Sequence, residues 1–161
     1  MRKLYIDFDG VIYNSIDVSY KMANEKNMKS EKEFYLFYKN LDWQVVLENS
    51  CEINNAFSNI KKLCEFYDVS ILTHVVSLNE VLEKVNIIRK HLDDINIISV
   101  PKSISKTKMV CAMDAILVDD YVQNLIEWKD AGGIGIKFDL DMDGKGFPVI
   151  DRLDKVTEIL K

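Results

Sequence analysis

Two aspartates one residue apart, Asp7 and Asp9, close the apolar run Leu4-Tyr5-Ile6 and are followed by Gly10. In an extended chain, residues two apart point to the same side, so both carboxylates face one region. Carboxylates that close repel each other unless a cation lies between them. A hard divalent ion with oxygen ligands, above all Mg²⁺, meets that need. Gly10 lets the chain leave in a tight turn and counts among the candidate phosphate contacts. A second acidic pair, Asp119 and Asp120, closes another apolar run, Ala115–Val118. Between the two pairs stand Thr73, at the end of Val69-Ser70-Ile71-Leu72, and Lys84, in a helical pattern. The simplest chemistry for such a set is Mg²⁺-assisted phosphoryl transfer. Asp7 is the candidate nucleophile, because carboxylates form aspartyl-phosphate intermediates. Asp9 is the candidate general acid and base. Asp7, Asp119, Asp120 and the Asp9 carbonyl are candidate metal ligands. Thr73 and Lys84 are candidates to neutralise the phosphoryl oxygens. The plainer alternatives are a strand ending in an acidic turn, an ordinary β-branched residue and a solvated lysine.

These groups share an edge only if the apolar runs are strands of one parallel sheet. Residues 3–8, 68–73, 95–100, 115–118 and 134–138 read as strands, with helical periodicity between them. The expected fold is therefore α/β, with a central parallel sheet of about five strands and the polar groups at its carboxyl edge. Helices are expected over 57–66, over 80–92, around 125–128 and at the C-terminal stripe Leu153, Val156, Ile159 and Leu160. Ser77 or Asn79 caps the second of these, and Val81, Leu82, Val85, Ile88 and Leu92 form its expected buried stripe. The span from 16 to 55 is long for one crossover and helically patterned. It reads as a small helical cap after the first strand, inserted into a core of 1–15 and 56–161. Phe34, Tyr38 and Trp43 belong to an aromatic cluster in that cap. They either fill its contacts with the core or form a stacking wall for a ring-bearing substrate. His74, next to Thr73, is a candidate substrate-side or structural loop residue. Asp139–Gly144 matches the first six positions of a calcium loop, but the twelfth is Ile150 where a glutamate belongs.

The 161 residues are 48% hydrophobic, enough for one core, and the net charge is −5. That balance opposes polymeric nucleic acid and anionic membranes as partners and leaves room for a small phosphorylated ligand. Cys51, Cys64 and Cys111 form no CxxC motif and read as small apolar residues of a reducing compartment. With no apolar signal segment evident, a cytoplasmic location is expected.

The motifs together resemble the haloacid dehalogenase-like (HAD) hydrolase superfamily. Its D-x-D-x-[TV] motif is matched by Asp7-Phe8-Asp9-Gly10-Val11. Its second, an apolar strand ending in Thr or Ser, is matched by Ile71-Leu72-Thr73, and its paired acids by Ile116-Leu117-Val118-Asp119-Asp120. The resemblance implies a three-layer Rossmann-like core and Mg²⁺-dependent phosphomonoester hydrolysis. Within the superfamily the chain is similar to the small 5'(3')-deoxyribonucleotidases, which carry a helical cap after the first strand and dephosphorylate nucleoside monophosphates. Their third-motif lysine follows a Glu, as in Glu83-Lys84, and Lys106 and Lys108 in the basic stretch before the fourth motif are rivals for that role. His74 stands where those enzymes usually carry Ser. Two other readings remain open. One is a phosphatase for a non-nucleotide metabolite such as a sugar phosphate. The other is a non-catalytic phosphate-binding protein with a regulatory or structural role.

Overall fold

A computed structural model describes residues 1–160. The element order is β1 (Arg2–Ile6), α1 (Ser15–Asn24), α2 (Glu31–Lys39), α3 (Trp43–Glu48), α4 (Ala56–Leu63), β2 (Tyr67–Val75), α5 (Leu78–Arg89) and β3 (Asn96–Pro101). There follow β4 (Ile116–Asp119), α6 (Val122–Asp130), β5 (Ile134–Phe138), β6 (Val149–Ile150) and α7 (Val156–Ile159). All six strands are parallel, in the order β3-β2-β1-β4-β5-β6. The architecture is α/β and Rossmann-like, with a helical cap after the first strand. The sixth strand exceeds the expected five. It is two residues long between Pro148 and Asp151, too short to carry a periodicity of its own.

The strand pleat divides β1 between two cores. Leu4 and Ile6 enter the larger one with Ile71, Val118, Ile136 and the α4 residues Phe57 and Ile60. Tyr5 enters the other, with Leu117, Leu125 and Trp128, and its ring meets Trp128 edge-on at 5.3 Å. Strand order reverses between β1 and β4, the switch point at which open α/β sheets bind ligands. Register fixes what gathers there. Ile6 pairs with both Ile71 and Val118, so the next residue, Asp7, falls level with Asp119. The Asp7 N–H continues the ladder to the Val118 carbonyl at 2.9 Å.

The cap helices differ in burial. No residue of α2 is buried, whereas Trp43, Val46 and Leu47 of α3 join the same core as the sheet. Two expectations need correcting, for the cysteines and for the buried stripe of α5. The cysteines are all exposed, because Cys51 falls in the irregular segment between α3 and α4, Cys64 in the turn after α4, and Cys111 in the loop before β4. On α5, Ser77 rather than Asn79 is the cap: its hydroxyl accepts the Glu80 N–H at 3.1 Å. The buried face of α5 is Glu80, Lys84 and Ile88, while Leu82 is 55% exposed. The calcium-like run, already lacking its twelfth-position glutamate, is taken up by local ion pairs. Lys137 reaches Asp139 at 3.1 Å and Lys145 pairs with Asp143.

Candidate active site

After β1 the chain turns back on itself. The Phe8 carbonyl accepts the N–H groups of Val11, Ile12 and Tyr13 at 3.3, 2.9 and 3.1 Å, and the Gly10 N–H donates to Tyr13 at 2.7 Å. Gly10 has φ +74°, and a Cβ there would lie 2.3 Å from Asp120 Oδ2. Only glycine fits both the left-handed backbone and this close approach. The turn brings Asp7 and Asp9 onto the carboxyl edge of the sheet, each beside a different buried lysine.

Lys106 serves Asp7. It is 2% exposed and sits on the single helical turn 106–108 before β4. Its Nζ meets Asp7 Oδ1 at 2.9 Å and Asp119 Oδ2 at 2.6 Å. Asp119 is further held by the Asn124 amide and the Tyr121 N–H, each at 2.9 Å. Burial pushes the Lys106 ammonium down, but Asp119 and Asp7 outweigh it and hold it above its ordinary range. Lys84 serves Asp9. It is 1% exposed and its Nζ contacts Asp9 Oδ2, Thr73 Oγ1 at 3.1 Å, the His74 carbonyl at 3.0 Å and Glu80 Oε1 at 2.7 Å. Ser15 donates to the other Asp9 oxygen at 2.6 Å.

The remaining acids crowd together. Asp7, Asp119 and Asp120 each offer an oxygen, all within 4.8 Å of one another. Burial, with Asp119 and Asp9 nearby, lifts the Asp7 carboxyl to about 6 against the pull of Lys106. Burial, then Asp7 and Asp119, lift Asp120 to about 8. Asp120 Oδ1 is buried without a hydrogen-bond partner. An all-oxygen cluster of crowded carboxylates with an orphaned lone pair fits a hard divalent cation.

The other candidates lie apart from this centre or play into it indirectly. Lys108 is exposed. The His74 ring is half-buried, with Nε2 2.9 Å from the Ile104 carbonyl, and burial lowers its pKa. Phe34 is 41% exposed on α2, and Tyr38 is half-buried against Phe37. Trp43 is 6% exposed, its ring centroid 4.7 Å from Lys84 Nζ and its indole nitrogen buried without a partner. The Trp43 backbone N–H donates to Asn79 Oδ1 at 2.8 Å, tying α3 to α5. Sequence reasoning passed over Glu80 and Asn124. The four-residue spacing of Glu80 and Lys84 on one helix face was the available signal; Asn124 carried none.

No known family profile and no curated protein matches the sequence. Solved structures do. A HAD phosphatase from Thermococcus onnurineus superposes with TM-score 0.66 at 17% identity, over 99% of this chain and 98% of the other. A haloacid dehalogenase-like family hydrolase from Xanthomonas campestris gives 0.69 at 12%, over 99% and 94%. The HAD-type protein YfnB of Bacillus subtilis, solved bound to magnesium, gives 0.64 at 14%, over 99% and 98%. The chain has the fold of the haloacid dehalogenase-like hydrolases.

Proposed function

We propose that this protein is a Mg²⁺-dependent phosphomonoester hydrolase working through an aspartyl-phosphate on Asp7. The observation that carries the reading is the partition of two buried lysines between the D-x-D aspartates, beside the carboxylate cluster of Asp7, Asp119 and Asp120. Those three side chains, with the Asp9 carbonyl, would hold Mg²⁺. When bound, the ion neutralises charge on the phosphoryl group and lets an anionic nucleophile approach it. The magnesium in the Bacillus subtilis structure is in keeping with this.

Asp7 attacks phosphorus, and the bond to the leaving oxygen breaks. Asp9, as the general acid, delivers a proton to that oxygen. Asp9 then takes a proton from water, whose oxygen attacks phosphorus. The bond to Asp7 breaks, releasing inorganic phosphate and restoring the Asp7 carboxylate. An ammonium has three N–H donors. Lys106 has carboxylate contacts for two, which leaves one for a phosphoryl oxygen. This favours Lys106 over Lys84 as the phosphoryl-binding lysine, whereas Thr73 stands beside Lys84, 3.1 Å from its Nζ.

The substrate is a small phosphorylated metabolite. Nucleoside monophosphates are the first class to test, with residues 16 to 55 as the cap over the leaving group, Phe34 as its exposed aromatic and Tyr38 half-buried. One observation favours a sugar phosphate instead: Trp43 is buried and Lys84 lies over its ring, so it is not an open platform for a base. Phosphate release from a panel of deoxy- and ribonucleoside monophosphates and sugar phosphates, with Mg²⁺ and with EDTA, tests both. Mg²⁺-dependent turnover of nucleotides supports the first, and turnover of sugar phosphates alone supports the second. Inertness of folded protein towards the whole panel refutes the hydrolase reading.

A further inference from the structure

Glu80 has no part in the chemistry above, yet it is 3% exposed and lies at the sheet edge. A buried carboxylate is costly to keep unless its oxygens are met, and both are. Oε2 accepts the Val76 N–H at 2.7 Å, and Oε1 accepts from Lys84 at 2.7 Å. Burial raises its pKa against the pull of Lys84. Lys84 in turn is over-subscribed. It has three N–H donors and four oxygens around it, from Asp9, Thr73, His74 and Glu80, with the Trp43 ring alongside. No donor is left for a phosphate unless an existing partner is given up.

Asp9 is held on both sides, by Ser15 at Oδ1 and Lys84 at Oδ2. Two contacts on opposite oxygens fix the rotation of a carboxyl group. Glu80, fixed to the Val76 backbone at 2.7 Å, accepts from Lys84 at 2.7 Å and so holds its ammonium against Asp9. We propose that Glu80 is a positioning residue which, acting through Lys84, aims the Asp9 carboxyl at the leaving-group oxygen, and that Lys84 is a clamp on Asp9 rather than a phosphate ligand. This rests on the hydrolase reading above.

The leaving group separates this from a merely structural role. An alkyl phosphate needs its departing oxygen protonated, whereas p-nitrophenyl phosphate releases a stable phenolate without help. The quantity to read is kcat/KM, which reports steps up to leaving-group departure. It is measured with Mg²⁺ for both esters in wild type, Glu80→Gln, Lys84→Met and the double variant, each checked by thermal melting. General acid catalysis contributes about 10²–10⁴-fold. Lys84→Met is therefore expected to lose at least about 100-fold on the alkyl ester and at least tenfold less on the aryl ester. Glu80→Gln should shift the same ratio in the same direction, by a smaller factor. Equal losses on the two esters with a raised KM overturn the proposal, because they mark Lys84 as a phosphate ligand. An unshifted ratio in folded Glu80→Gln overturns the role of Glu80. Should Lys84→Met not fold, Glu80→Gln and the double variant, which removes both charges together, decide the matter. A wild type inert towards both esters defeats the hydrolase reading and this inference with it.

Discussion

Replacing Gly10 by alanine tests whether the turn after β1 is shaped by the metal cluster. Two effects add at this position. An L-residue at φ +74° carries a left-handed backbone cost of about 1–2 kcal/mol. In a chain of this size that lowers the melting temperature by about 2–8 °C. The second effect concerns Asp120. The new Cβ would sit 2.3 Å from its Oδ2, and ordinary contact begins about 1 Å further out, so the carboxylate must withdraw. Metal–ligand distances tolerate only about 0.2 Å, and displaced ligand geometry typically weakens binding by about 10–100-fold. At saturating Mg²⁺ that lessens the metal's stabilisation by about 1.4–2.7 kcal/mol. Gly146→Ala is the matched control: its φ is +91° and a Cβ there meets nothing within 4 Å. It carries the backbone cost alone. Thermal melts of wild type and both variants across a Mg²⁺ titration separate the two effects. Similar losses without metal, with a weakened Mg²⁺ response only in Gly10→Ala, are expected. An identical Mg²⁺ response in the two variants would refute Asp120 as part of the metal site.

Three other outcomes are expected. Lys106→Met leaves Asp7 and Asp119 buried without their shared cation, so the metal-free protein should lose about 3–5 kcal/mol in denaturant unfolding, and Mg²⁺ should recover part of it. The Asp7 and Asp120 carboxyls stand raised to about 6 and about 8 in the folded, metal-free state, so the folded chain holds protons that the unfolded chain has released. Their contribution to stability is full below about pH 4 and is lost as pH rises through 6 and 8. Metal-free melting temperature should therefore decline over that window at fixed salt, and Mg²⁺ affinity should climb over it, since binding requires the deprotonated ligands. A Mg²⁺ affinity flat between pH 5 and pH 8 contradicts this. Trp43→Phe keeps an aromatic ring and removes an indole N–H buried without a partner. Relief of the orphaned N–H offsets part of the packing lost with the smaller ring, so the loss should stay within about 1–2 kcal/mol, and a loss of about 4 kcal/mol or more would contradict an N–H without a partner.

The strands that build the site were readable because sheet centres covered on both faces are near-continuous apolar runs. Leu4–Ile6 and Ile116–Val118 stand out on that ground, and the acids at their ends stand out with them. What could not be read was which side chain answers which charge. The Glu83-Lys84 pattern puts Lys84 ahead of its rivals Lys106 and Lys108, and only the three-dimensional contacts of α5 and the turn at 106–108 set Lys84 against Asp9 and Lys106 against Asp7. The α5 stripe was misread for a related reason. Counting apolar residues favours Leu82, but the face that meets Asp9 and the cap helix α3 carries Glu80 and Lys84, because Asp9, Thr73 and the His74 carbonyl give the Lys84 ammonium its partners there. Strand β6 gave no signal at two residues. Residue type alone points the cysteines inward, whereas their exposure follows from the loops and turn they occupy between elements.

The central claim is that Asp7 forms a covalent bond to phosphorus. Acid quenching during turnover of an active ester with Mg²⁺, borohydride reduction and peptide mass spectrometry would read this directly, because reduction of an aspartyl-phosphate yields homoserine. Homoserine at position 7 in wild type is the expected result, with none in Asp7→Asn and a turnover loss there of at least about 10³-fold. Sustained turnover with no modification at residue 7, or turnover preserved in Asp7→Asn, would contradict the account.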